Sequence, residues 1–154
     1  MACTLIHFTT TVAVPVLLGI AASPAEAQLG GSLPPSQAAH AAVVKNVLNG
    51  AVRTRSWLDE GGTTINEYTS ADGTIFAYAW HGPTMPNLRH LLGRYADTYL
   101  AAATSRFAAD GNLHASHVVH PALIVDSGGQ MRSYVGRAWL PAALPPGVTP
   151  ADLQ

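Results

Sequence analysis

The sequence predicts an α+β fold, an antiparallel sheet of about five strands in the order β-β-β-α-β-β with one amphipathic helix packed on a face. Three observations carry this. Asp72-Gly73 lies between two strand-like runs, and such a pair favours a tight hairpin because glycine accepts positive φ. Residues 74–81, TIFAYAWH, alternate between large aromatics and small side chains and carry no charge, as in a central strand covered on both faces. Leu88, Leu91, Leu92, Tyr95, Tyr99, Ala102 and Ala103 recur at helical spacing and make one apolar stripe.

The chain opens with an apolar run, residues 12–22, followed by Ala25-Glu26-Ala27. Small residues at the first and third positions of that triplet fit a signal peptidase, so residues 1–27 read as a signal peptide cut after Ala27. The run is shorter than the ~20 residues a membrane-spanning helix needs, and no membrane span is expected after cleavage. Export, to the periplasm or beyond, follows as an expectation. Cleavage removes Cys3, the single cysteine, so no disulfide can staple the fold and a hydrophobic core must suffice. Lys and Arg total eight and Asp and Glu nine; losing Glu26 balances them. A neutral chain lacks the net basic face that nucleic-acid binding requires.

Residues 28–37, QLGGSLPPSQ, read as a flexible leader, and a short helix is expected over 38–49, ending at Gly50. Residues 51–154 form the single folded domain. Its first strand covers 51–58 and its second 63–70. In the third, residues 74–81, strict alternation puts Phe76, Tyr78 and Trp80 on one face and Ile75, Ala77 and Ala79 on the other. The alanine face lets a helix approach closely. That helix starts near Pro86 and ends at Asp110-Gly111, with Arg94 and Asp97 able to pair on its outer side. Residues 118–126 form the fourth strand with Pro121 near its start, Ser127 to Gly129 the turn, and residues 130–140 the fifth strand. A proline-rich tail follows, with Thr149-Pro150 opening one last turn.

Several blocks together are distinctive: Glu67-Tyr68 ahead of Asp72-Gly73, FAYAWHGP at 76–83, PNLRHLLG at 86–93 and GGQMRSYVGRAWLP at 128–141. In these the chain resembles the bacterial exported family known as domain of unknown function 2844. The family's pattern carries Asp where Asn87 stands and often His where Gln130 stands. The resemblance implies export and one small domain, and no activity.

Candidate functional residues divide into four sets. His81 sits at a strand end before Gly82-Pro83, where a histidine could act as a base if Glu67 and Arg132 gathered around it in a small periplasmic hydrolase. His114, His117 and His120 have a spacing that invites a metal, but in a strand His114 and His117 face opposite sides. Glu67, Arg132 and Arg137 are charges read as lying in strands, where cross-strand ion pairing is their ordinary use and capture of an anionic group the functional one. Tyr78, Trp80 and Trp139 offer an aromatic sheet face, core or binding platform. No nucleophile elbow is present, no catalytic set assembles and no cofactor is implied. The leading expectation is a non-catalytic exported domain that binds another envelope component through that aromatic face or through an open edge strand.

Overall fold

The third strand organises everything else, because no side chain from Ile75 to Trp80 is more than 2% exposed. In the computed structural model, which describes residues 28–32, 43–47, 51–110 and 115–154, this strand sits in the middle of a seven-stranded antiparallel sheet. The strands are β1 (Val43–Val47), β2 (Val52–Leu58), β3 (Thr64–Ser70), β4 (Ile75–Gly82), β5 (Ala115–His120), β6 (Leu123–Gln130) and β7 (Ser133–Trp139). Their order across the sheet is β1-β2-β3-β4-β7-β6-β5. Between β4 and β5 come α1 (Leu88–Leu92), a 3-10 turn (Gly93–Tyr95) and α2 (Ala96–Asp110). The α+β class and the antiparallel sheet hold, with two strands more than expected.

The Asp72-Gly73 turn forms as the sequence predicts, with Gly73 at φ 90°. The Asp72 carboxylate accepts from the Thr74 main-chain N–H and from the hydroxyls of Ser70 and Thr74. Those bonds favour its ionised form and hold its pKa below the usual value. At the far end of β4, Thr63 pins the corner. Its hydroxyl donates to the Thr84 carbonyl at 2.6 Å and accepts from the Thr84 N–H at 3.2 Å. Asn87 then caps α1, its Oδ1 accepting from the His90 N–H at 3.1 Å. Asn is among the residues best suited to this position, because its side-chain oxygen satisfies a main-chain N–H that the first turn leaves free.

All seven residues of the predicted apolar stripe pack into the core cluster shared with Tyr78 and Trp80. The helix therefore covers the aromatic side of β4, not the alanine side. The reason is a β-bulge. Tyr68 pairs with Ala77 but Thr69 pairs with Ile75, so Phe76 is one extra residue in β4. Beyond it the faces exchange. Ile75, Tyr78 and Trp80 lie under the helix, whereas Phe76, Ala77 and Ala79 lie on the opposite face. There they meet Trp139, Tyr68, Val52 and residues of the segment 140–154, including Leu144, Val148 and Leu153. That segment is a strap. Arg137 Nη1 donates to the Pro150 carbonyl at 2.7 Å, and Asn66 and Tyr68 donate to the main-chain oxygen of Gln154 at 2.7 and 2.6 Å.

Four other readings change. Residues 28–32 are not a loose leader: Leu29 is 2% exposed in the core, and Gly30 and Gly31 exchange main-chain hydrogen bonds with Ile75. The helix expected over 38–49 is overturned at 43–47, where β1 pairs with β2; the rest of that stretch lies outside the described residues, as does the expected signal peptide. Residues 118–126 do not form one strand. Pro121 and Ala122 turn the chain between β5 and β6, since proline cannot supply the N–H a central strand requires. Ser127 to Gly129 do not turn but continue β6, and the hairpin closes at Met131 and Arg132, at φ 47° and 68°. On the helix surface Asp97 pairs with Arg89 at 3.3 Å, while Arg94 donates to Tyr95.

Two outcomes follow for stability. Two consecutive left-handed residues make a turn that favours Asn-Gly, so Met131→Asn with Arg132→Gly raises the unfolding free energy by about 1 kcal/mol or more in urea titrations. Leu153→Ala, which empties a buried site between the strap and the sheet, lowers it by about 2–4 kcal/mol.

Candidate functional site

Strand pairing sorts every candidate residue onto one face or the other. One cross-strand row runs Arg55, Glu67, Tyr78, Ala138, Val125 and Val118. It lies on the helix-covered face. The next row runs Asn66, Ala79, Arg137, Asp126 and His117, on the strap-covered face.

Glu67 is fully buried. Its Oε2 accepts from Arg55 Nη2 at 3.0 Å and from the Tyr78 hydroxyl at 2.9 Å. The cross-strand ion pair read from the sequence is therefore real, with Arg55 as the partner. Arg55 is also held by stacking, its guanidinium 5.0 Å from the centre of the Trp57 ring, which in turn meets Tyr78 edge-on. Among the described residues, Glu67 Oε1 and Arg55 Nε have no hydrogen-bond partner. Burial pushes the Glu67 pKa up, and the adjacent Arg55 charge and the Tyr78 bond oppose it only in part. The same burial, with the neighbouring carboxylate, pushes the Tyr78 hydroxyl well above its usual range.

The hydrolase arrangement does not assemble. Glu67 is paired with Tyr78 and sealed on the helix side, whereas His81 pairs with Thr64, is exposed and belongs to the other face. Arg132 is not in a strand; it stands in the exposed β6–β7 turn. A two-residue periodicity could separate Glu67 from His81 but could not locate a turn formed by Met and Arg. The aromatic face also fails as a platform. Tyr78, Trp80 and Trp139 are 0%, 1% and 5% exposed, and Trp139, opposite Ala77, lies on the other side of the sheet from the first two.

Arg137 does join a polar group, one the sequence reading missed. Its Nε and Nη2 donate to Asp126 Oδ2 at 3.2 Å, and Asp126 Oδ1 bonds His117 Nδ1. The guanidinium lies 5.6 Å from the Trp139 ring centre. His117, Asp126 and Arg137 thus form a chain across β5, β6 and β7 that ends at the strap. Asp126 orients the imidazole through its Nδ1. The same row continues through Ala79 and Asn66. These side chains are about a third to a half exposed, where ion pairs contribute only tenths of a kcal/mol. The signal was in the sequence: His117 and Asp126 become cross-strand partners once Pro121 is taken as the turn.

His114 lies outside the described residues. His117 and His120 fall on opposite faces of β5, and the His120 Nδ1 accepts from the Ala122 N–H. Among the described residues no three metal-ligating side chains gather.

A carboxyl with a higher pKa in the fold binds more protons folded than unfolded. Its contribution favours the fold below the ordinary value of 4.5 and is lost as pH rises towards the folded value. Glu67→Gln removes that dependence. The stability of the wild type relative to this variant therefore falls as pH rises from about 4 to about 7, and Arg55→Leu steepens the wild-type decline. Urea midpoints across that range measure both.

No curated protein and no solved structure matches the chain significantly. Among the described residues no helix is long and apolar enough to cross a membrane. The resemblance carried by the four sequence blocks is upheld by a match over residues 25–153, and the chain belongs to the family described as protein of unknown function (DUF2844).

Proposed function

We propose that this chain is an exported, non-catalytic binding domain that engages a second cell-envelope component through the edge strand β5. The observation that carries the reading is the character of that edge. β5 closes one end of the sheet and has one strand neighbour, β6, among the described residues. Its sequence, ASHVVH, contains no Lys, Arg, Asp, Glu or Pro, and Val119 is 65% exposed. Charged and proline residues are the usual means of blocking strand addition at an edge. The other edge has such a block: the exposed Lys45 in β1 is the single lysine of the chain. An extended partner segment can add to β5 by main-chain hydrogen bonds, with side-chain contacts supplying selectivity. His117, oriented by Asp126, stands within the strand to contribute one such contact.

Export rests on the signal-peptide pattern of residues 1–27. The fold is compatible with a cut after Ala27. Leu29, two residues further on, is a core residue and would be retained.

The test is crosslinked capture from cells of the tagged chain expressed with its own first 27 residues. An envelope partner recovered in stoichiometric amount with wild type and with Lys45→Ala, and lost with Val119→Lys at unchanged Tm, is the expected result. Equal recovery with Val119→Lys overturns the edge as the binding surface. The intact mass of the exported protein, expected to begin at Gln28, checks the export claim separately.

A further inference from the structure

The core begins one residue after Gln28. Leu29 is 2% exposed, and its N–H donates to the Leu91 carbonyl at 2.9 Å. Gly30 donates to the Ile75 carbonyl at 2.8 Å, and the Ile75 N–H donates back to Gly31 at 2.9 Å. Gln28 is held to this segment by its main-chain oxygen, which accepts from the Gly31 N–H at 2.8 Å. Its side chain lies against Gly93, where a Cβ would come within 2.8 Å of Gln28 Cδ. None of these main-chain bonds uses the Gln28 nitrogen.

Cleavage after Ala27, the reading on which this inference rests, turns that nitrogen into a free primary amine. The same residue then carries an amine and a carboxamide within reach of a five-membered ring, the arrangement in which intramolecular attack is most effective. The lone pair of the α-amine attacks Cδ, and the Cδ–Nε2 bond breaks. One amine proton passes to the departing nitrogen, which leaves as ammonia. No oxidant, reductant or second substrate is consumed.

We propose that Gln28 is a modification site, closed in the mature chain to the lactam pyroglutamate. The ring uses only the α-nitrogen and Cδ, so the bonds from Gly31 to Gln28, from Leu29 to Leu91 and between Ile75 and Gly30-Gly31 all persist. Ring closure also removes a positive charge from a segment that Arg94 already adjoins, its Nη2 lying 3.0 Å from where a Gly30 Cβ would stand. The lactam protects the core. An aminopeptidase that removed Gln28 would take Leu29 next, and a closed ring offers such an enzyme no amine to hold.

The test is the intact mass of the protein exported from cells with its own first 27 residues. The expected mass is about 17 Da below that of residues 28–154, one ammonia lost. Gln28→Ala, which has no carboxamide to close, keeps its full mass. Pyroglutamyl peptidase acting on the denatured wild type leaves a chain that begins at Leu29. The full mass of residues 28–154 overturns the modification and leaves cleavage after Ala27 standing. A chain that begins elsewhere overturns both. A deficit that persists in Gln28→Ala places the loss at another residue and overturns the site.

Discussion

One extra residue in β4 determines which side chains share a core. A strand has strict two-residue alternation, and a single insertion reverses it for everything on one side. At Phe76 this reversal puts a large ring beneath the strap and leaves Ile75, Tyr78 and Trp80 beneath the helix. Without it Phe76 would sit under the helix and the strap would meet a face of small side chains. Each of the two covering layers, one helical and one irregular, therefore receives aromatic surface from the same strand. That is why β4 is buried from Ile75 to Trp80, and why a sheet of this size has two hydrophobic clusters instead of one.

The helix was fully legible: its stripe depends only on helical spacing, and Leu88, Leu91, Leu92, Tyr95, Tyr99, Ala102 and Ala103 all pack where that spacing puts them. The Asp72-Gly73 turn was legible because its residues are those a left-handed turn prefers. Met131 and Arg132 both adopt positive φ without glycine or asparagine, and so the neighbouring Ser-Gly-Gly attracted the turn assignment. The bulge was illegible because nothing in FAYAW distinguishes an inserted residue from an alternating one. β1 was missed because Val43 to Val47 combine helix-tolerant and β-branched residues, and only pairing with β2 decides between them.

The candidate residues separate along the same lines. Burial turned Glu67, Tyr78 and Trp80 from surface candidates into interior polar groups, each carrying an unusual electrostatic or hydrogen-bonding state. Pairing across β5, β6 and β7 assembled His117, Asp126 and Arg137, which are far apart in the linear reading. A charge on a strand becomes interpretable only when its cross-strand neighbour is known, and that neighbour depends on where each hairpin closes.

The strap joins residues that are 86 and 88 positions apart, through Tyr68 and Asn66 with Gln154. Contacts of such separation carry a large loop-closure cost and slow the folding of sheet proteins. During vectorial synthesis, β2, β3 and β4 emerge well before residues 140–154 do. Through that interval Phe76, Tyr68 and Val52 have no strap to cover them. The chain's time of greatest exposure to aggregation or chaperone capture is therefore set by the arrival of residues 140–154, and a polypeptide stalled before them would present an aromatic sheet face that the strap conceals.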